Sequence, residues 1–160
     1  MTGGRGRRLV AAVAVTVVAV AALAACSTQA ADQKVIDRLS KLDVMTVPAG
    51  ATELSRSSVK GGGNNAIRTS STVTLVYATP QTPTEVGQHF HARFDAAWHF
   101  HDNGAVDLGG WRASGRPGPD PNADPATAAE VVARPVTPTD KAPAGSQSVV
   151  TVTVSATRPA

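Results

Sequence analysis

The chain has a single cysteine, Cys26, so no intrachain disulfide can form and no thiolate cluster can hold a metal. Aromatic residues make up only 4% of it, leaving aliphatic residues to build whatever core it has. Complete catalytic signatures are missing too. There is no Gly-x-Ser-x-Gly elbow, and Ser57-Ser58-Val59-Lys60 has the Ser-x-x-Lys spacing without the Ser-Asp-Asn and Lys-Thr-Gly elements that accompany it in penicillin-binding enzymes. Gly61-Gly62-Gly63 is followed by Asn64-Asn65, whereas a phosphate-binding loop needs Lys and then Ser or Thr opening a helix. These gaps argue against an enzyme, and no cofactor is expected.

What is present begins at the N-terminus. Arg5, Arg7 and Arg8 precede an apolar run from Leu9 to Ala25, the layout of an export signal. As a helix this run would reach about 26 Å at about 1.5 Å per residue, short of a hydrocarbon core of about 30 Å. Its Ala and Val content is also weakly apolar for a permanent span.

The run ends in Leu23-Ala24-Ala25-Cys26. This tetrapeptide resembles the lipobox of bacterial lipoprotein precursors, and the Ala, Val, Thr, Pro and Arg richness is similar to that of high-GC actinobacterial proteins. The resemblance covers residues 1–26 alone. It implies that residues 1–25 are a cleaved signal peptide and that Cys26 becomes the first residue of the mature chain. Cys26 would then carry a diacylglyceryl group and further acyl chains of the palmitate type. One chain holds a protein only marginally, and two or more give stable attachment. The expected location is the outer face of the cytoplasmic membrane, with the membrane itself as the first partner.

Loss of the leader also changes the charge. The full chain has 15 Lys and Arg against 12 Asp and Glu. Arg5, Arg7 and Arg8 leave with the signal and no acid does, so the mature chain is neutral. Its apparent basicity therefore gives no reason to expect a nucleic-acid partner.

Residues 26–31 read as a short lipidated tether and residues 32–160 as one domain. Val35, Ile36, Leu39 and Leu42 form an amphipathic stripe for a short N-terminal helix, with Asp32 as a candidate N-cap. Thr52 to Val59 and Thr69 to Ala78 read as strands of a hairpin across the Gly-Asn connection. Thr82-Pro83-Thr84-Glu85 is a capping box with Pro at the first helical position, so the main helix starts there. Val86, Phe90, Phe94 and Ala97 share its inner face.

The end of that helix is open to two readings. Either it stops near Trp98 and gives way to a strand Trp98 to His101 with a turn at Asp102-Asn103-Gly104, or it runs on to Gly104. Val106 to Ala113 is expected to be a strand with a bulge at Gly109-Gly110, followed by a loop from Ser114 to Pro125. Glu130 to Val136 reads as a strand, although Asp124-Pro125-Ala126 could start a short helix. Val150, Val152 and Val154 alternate with Thr151, Thr153 and Ser155 in a half-buried final strand. The predicted fold class is α+β: a small antiparallel sheet of about four or five strands packed by one main helix and preceded by a short N-terminal helix.

All four histidines lie between His89 and His101. Imidazole is a good ligand for zinc, copper and nickel, so His91, His99 and His101 are candidate metal ligands. If the helix continues, His91, Asp95 and His99 fall at i, i+4, i+8; if residues 98–101 are extended, His99 and His101 share a face. Either pair needs a third ligand from elsewhere, and the plainer reading is solvated imidazoles beside core phenylalanines. Asp120, Asn122 and Asp124 have the first spacings of a calcium loop, but Pro125 stands where that loop needs Gly and Glu130 comes one position early. The function expected is a non-catalytic envelope module that binds an envelope protein, a wall polymer or a small ligand. The alternatives are a histidine-cluster metal binder and a small hydrolase.

Overall fold

A computed structural model describes residues 31–62, 69–106, 109–118 and 127–156. The leader, Cys26 and the calcium-like spacing at residues 120–124 lie outside these residues. Among the described residues one antiparallel sheet of six strands carries helices on one face, so the chain is α+β.

The described chain opens in a helix, α1 (31–39), which buries Val35, Ile36 and Leu39. A 3-10 turn, η1 (Asp43–Met45), then adds Val44 and Met45 to the same core. Strand β1 (Thr52–Val59) pairs with β2 (Ser71–Thr79), giving the expected hairpin. A bulge between Glu53 and Ser55 brings Glu53 and Arg56 to one face, where they form an ion pair at 3.0 Å. Arg56 Nη2 also donates to the Met45 carbonyl at 3.1 Å and ties this edge strand to η1.

Helix α2 (Pro83–Trp98) starts as its capping signal predicts. Thr82 Oγ1 accepts from the Glu85 amide at 3.3 Å, and the Thr82 amide donates to Glu85 Oε2 at 2.7 Å. The helix ends at Trp98 because His99 turns into the left-handed region, at φ 44°. It therefore does not run on to Gly104.

Beyond α2 the expected single strand Val106 to Ala113 is divided between two, since Val106 ends one strand and pairs with Gly110, which opens the next. Strand β3 (His101–Val106) passes straight through Asp102-Asn103-Gly104, which forms a bulge between Asp102 and Ala105 rather than a turn. Chain reversal comes later, before β4 (Gly110–Gly115), which continues past Ser114 where a loop was expected to begin. Strands β5 (Ala128–Pro135) and β6 (Ser148–Ala156) complete the sheet in the order β1-β2-β6-β5-β4-β3. The expected count of four or five strands is thus corrected to six. The physical reason is that Gly104, at φ 80°, relieves a bulge as readily as it makes a turn.

The last strand, β6, pairs with both β2 and β5 and so closes the sheet at its centre. Leu75, Val131 and Val152 meet in one row on the helix-covered face and are all fully buried. The opposite face carries Thr72, Thr74, Thr151, Thr153 and Ser155, which are half-buried. That is the period of two expected of a sheet covered on one side.

The few aromatic rings are concentrated in one place. All three phenylalanines and both tryptophans fall between Phe90 and Trp111. Phe90 lies 5.2 Å from Phe94, 5.8 Å from Phe100 and 5.9 Å from Trp111 between ring centroids. Helix α2 crosses β4 and β5, whose inward residues Ala113, Ala129 and Ala133 are small. Large rings on the helix thus fill the space that small strand residues leave, which is how a chain poor in aromatics reaches a packed core.

Candidate functional site

The link from α2 into β3 and the end of β4 together form a cleft. After Trp98 the backbone bends sharply at His99, a non-glycine residue held at positive φ. Such a position costs an L-residue on the order of 1–2 kcal/mol relative to glycine, and histidine is among the residues seen there more often. Phe100 then drops into the core, which turns His99 and His101 outward on either side of it.

Strand β4 supplies the facing wall. His101 pairs with Ser114 in register. Beyond Gly115 the chain runs back along the end of the helix, and the Gly118 amide donates to the Ala97 carbonyl at 2.7 Å. This approach is close enough to demand glycine. A Cβ on Gly115 would lie 2.8 Å from the Phe100 ring, and one on Gly118 would lie 2.8 Å from His99 Nε2.

The resulting cleft has a volume of about 220 Å³ and is open to solvent. His99, His101, Ser114 and Arg116 supply its polar groups, and Pro117 and Ala128 are part of its apolar lining. Among the described residues no carboxylate lines it. Ser114 Oγ accepts a hydrogen bond from Asn103 Nδ2 at 2.9 Å, which leaves the serine O–H free to be donated.

His91 is placed elsewhere. Its Nδ1 faces Asp95 Oδ2 at 2.8 Å and its Nε2 faces Asp102 Oδ1 at 2.9 Å. Both partners are carboxylates, which accept when ionised, so the pair of contacts favours the doubly protonated ring. Hydrogen bonds to Asp102 and Asp95 accordingly raise its pKa, while Asp102 is lowered, chiefly by His91. Asp102 Oδ1 also accepts from Trp111 Nε1 at 2.8 Å, joining α2, β3 and β4.

Of the predicted metal ligands, the structure therefore brings His99 and His101 into one cleft and commits His91 to two acids. Among the described residues no group of three or more His, Cys, Asp or Glu side chains is placed to hold an ion. His89 Nε2 is buried with no hydrogen-bond partner among the described residues, its ring edge-on to Phe90. Ser57 sits exposed on β1 opposite Thr74, remote in the sheet order from the histidines on β3.

Sequence reasoning missed Arg116, Pro117 and Gly118. One signal was available: an arginine and a proline bracketed by glycines in Gly115-Arg116-Pro117-Gly118, directly after a strand.

Compared with family models, with curated proteins and with solved structures, the chain matches none.

Proposed function

We propose that this is an exported lipoprotein, held by acyl chains on Cys26 at the outer face of the cytoplasmic membrane. Its domain is a non-catalytic module that binds a small ligand. The anchor rests on the basic start, the apolar run and Leu23-Ala24-Ala25-Cys26 coinciding in one segment. The binding role rests on a single observation: a cleft whose polar groups His99, His101 and Arg116 have no hydrogen-bond or ion-pair partners among the described residues.

Intact-mass measurement of the protein extracted from membranes tests the anchor. The expected species starts at Cys26 and carries acyl mass, and Cys26→Ser should shift the protein to the soluble fraction or leave uncut precursor. A free thiol on a chain that keeps residues 1–25 would refute it.

A second reading, a metal site, is favoured by the shared cleft of His99 and His101, which needs a third ligand. Calorimetric titration with zinc, copper and nickel tests it. Binding tighter than about micromolar that disappears in the His99→Ala, His101→Ala double variant supports the metal reading over the ligand cleft. The hydrolase reading has less support, because among the described residues Ser114 bonds to Asn103 and to neither imidazole.

A further inference from the structure

The arginines of this chain show how its charges are disposed. Arg56 is paired with Glu53, Arg112 with Glu130 and Arg134 with Asp140. Arg93 lies over the Phe94 ring at 5.2 Å, and Arg116 lines the cleft with no hydrogen-bond or ion-pair partner among the described residues.

Two acids among the described residues that lie near the cleft are already engaged. Glu130 faces Ser114 across β4 and β5, but its carboxylate is taken by Arg112. Asp102 follows His101 directly, but it accepts from His91 and Trp111. Neither lines the cleft. Among the described residues nothing compensates the positive charge of Arg116, which stands beside donors: the Ser114 hydroxyl, whose acceptor role is filled by Asn103, and the imidazole N–H groups of His99 and His101.

We propose that this cleft is an anion site, which takes the carboxylate or phosphate group of a small ligand. Arg116 supplies the charge-assisted hydrogen bonds, Ser114, His99 and His101 supply further donors, and a short apolar part of the ligand rests on Pro117 and Ala128. An arginine fork matches the paired oxygens of such groups, which is why it is favoured over lysine for planar oxyanions. A volume of about 220 Å³ limits the occupant to a small molecule. Among the described residues a cation finds no counter-charge here, and a neutral ligand would leave Arg116 unpaired. The strained backbone at His99 is consistent with this role, because it is what turns that imidazole into the cleft instead of along the helix.

This inference rests on the ligand-cleft reading above, and its test separates the two. The full chain in detergent, labelled for NMR, is titrated with sodium acetate, inorganic phosphate and neutral acetamide at constant ionic strength. Acetate or phosphate should give saturable shifts at the His99 and His101 rings and the Ser114 amide, and acetamide should not. The stronger of the two anions identifies the group. Arg116→Gln should weaken anion binding about tenfold or more while leaving the thermal midpoint unchanged, and Arg116→Lys should restore part of it.

Shifts by acetamide equal to those by acetate would overturn the anion assignment and leave the ligand cleft standing. Anion shifts that persist in Arg116→Gln would overturn it as well. No saturable shift with any probe would remove both.

Discussion

The indole of Trp111 lies directly on Gly87. A Cβ at position 87 would come within 2.8 Å of Trp111 Cε2 and Nε1, so helix α2 can approach β4 only because that helical residue has no side chain. The indole has little freedom to retreat, since its N–H is fixed on Asp102 at 2.8 Å.

Gly87→Ala should therefore destabilise the domain. Alanine would favour the helix by about 1 kcal/mol, but overpacking at such a contact costs about 1–3 kcal/mol. Urea unfolding followed by tryptophan fluorescence measures the balance. A variant more stable than the parent would show that the helix and Trp111 are not held together as described.

Thr82→Ala removes one half of the reciprocal cap at the start of α2. The expected loss is about 1 kcal/mol, the usual cost of an N-cap oxygen. Thr82→Ser keeps the oxygen and should retain most of that stability. Equal losses in both variants would mean that the methyl group, and not the cap, matters.

His91 ties stability to pH. Its folded-state pKa is raised above the ordinary value of about 6.5 by Asp102 and Asp95. Its contribution is thus complete below that value and is lost as pH rises through the raised one. The groups facing the ring are Asp95 from its own helix, Asp102 from β3 and the Trp111 ring from β4 at 5.9 Å. His91 and its two acids are all partly exposed, so the effect is modest. Thermal midpoints measured from pH 6 to 9 should fall for the parent and stay flatter for His91→Gln. Parallel curves would exclude the clasp.

Asp140 has the opposite sign. It accepts both guanidinium nitrogens of Arg134, at 2.7 and 2.6 Å, and the Thr137 amide at 2.7 Å, which hold its carboxyl well below the usual carboxylate range. Stability from this group is present above its unfolded value, about 3.9, and disappears as pH falls through the lowered one. Asp140→Asn should lower the thermal midpoint at pH 7, and the difference from the parent should shrink under strongly acidic conditions. An unchanged midpoint at pH 7 would show that the 137–140 turn is held by its backbone alone.

Much of this architecture could be read locally. The capping box at Thr82, the alternation from Val150 to Ser155 and most of the stripe of Val35, Ile36, Leu39 and Leu42 depend only on neighbours in the chain and lie where their patterns predicted, although the helix ends at residue 39 and Leu42 lies beyond it. The export and anchoring proposed from the basic start, the apolar run and Cys26 likewise rest on the order of residues alone.

Other features depend on partners far along the chain. Whether Asp102-Asn103-Gly104 turns or bulges is decided by β4, because an antiparallel partner that can pair on both sides of the extra residues makes a bulge the better solution. The histidine spacing likewise could not show that His91 would find Asp102 on another element while His99 and His101 met Ser114 and Arg116. Residue types and spacings list which groups are available. Only packing decides which acids are consumed by Arg112, His91 and Trp111, and therefore that, among the described residues, Arg116 faces an open cleft without an acid.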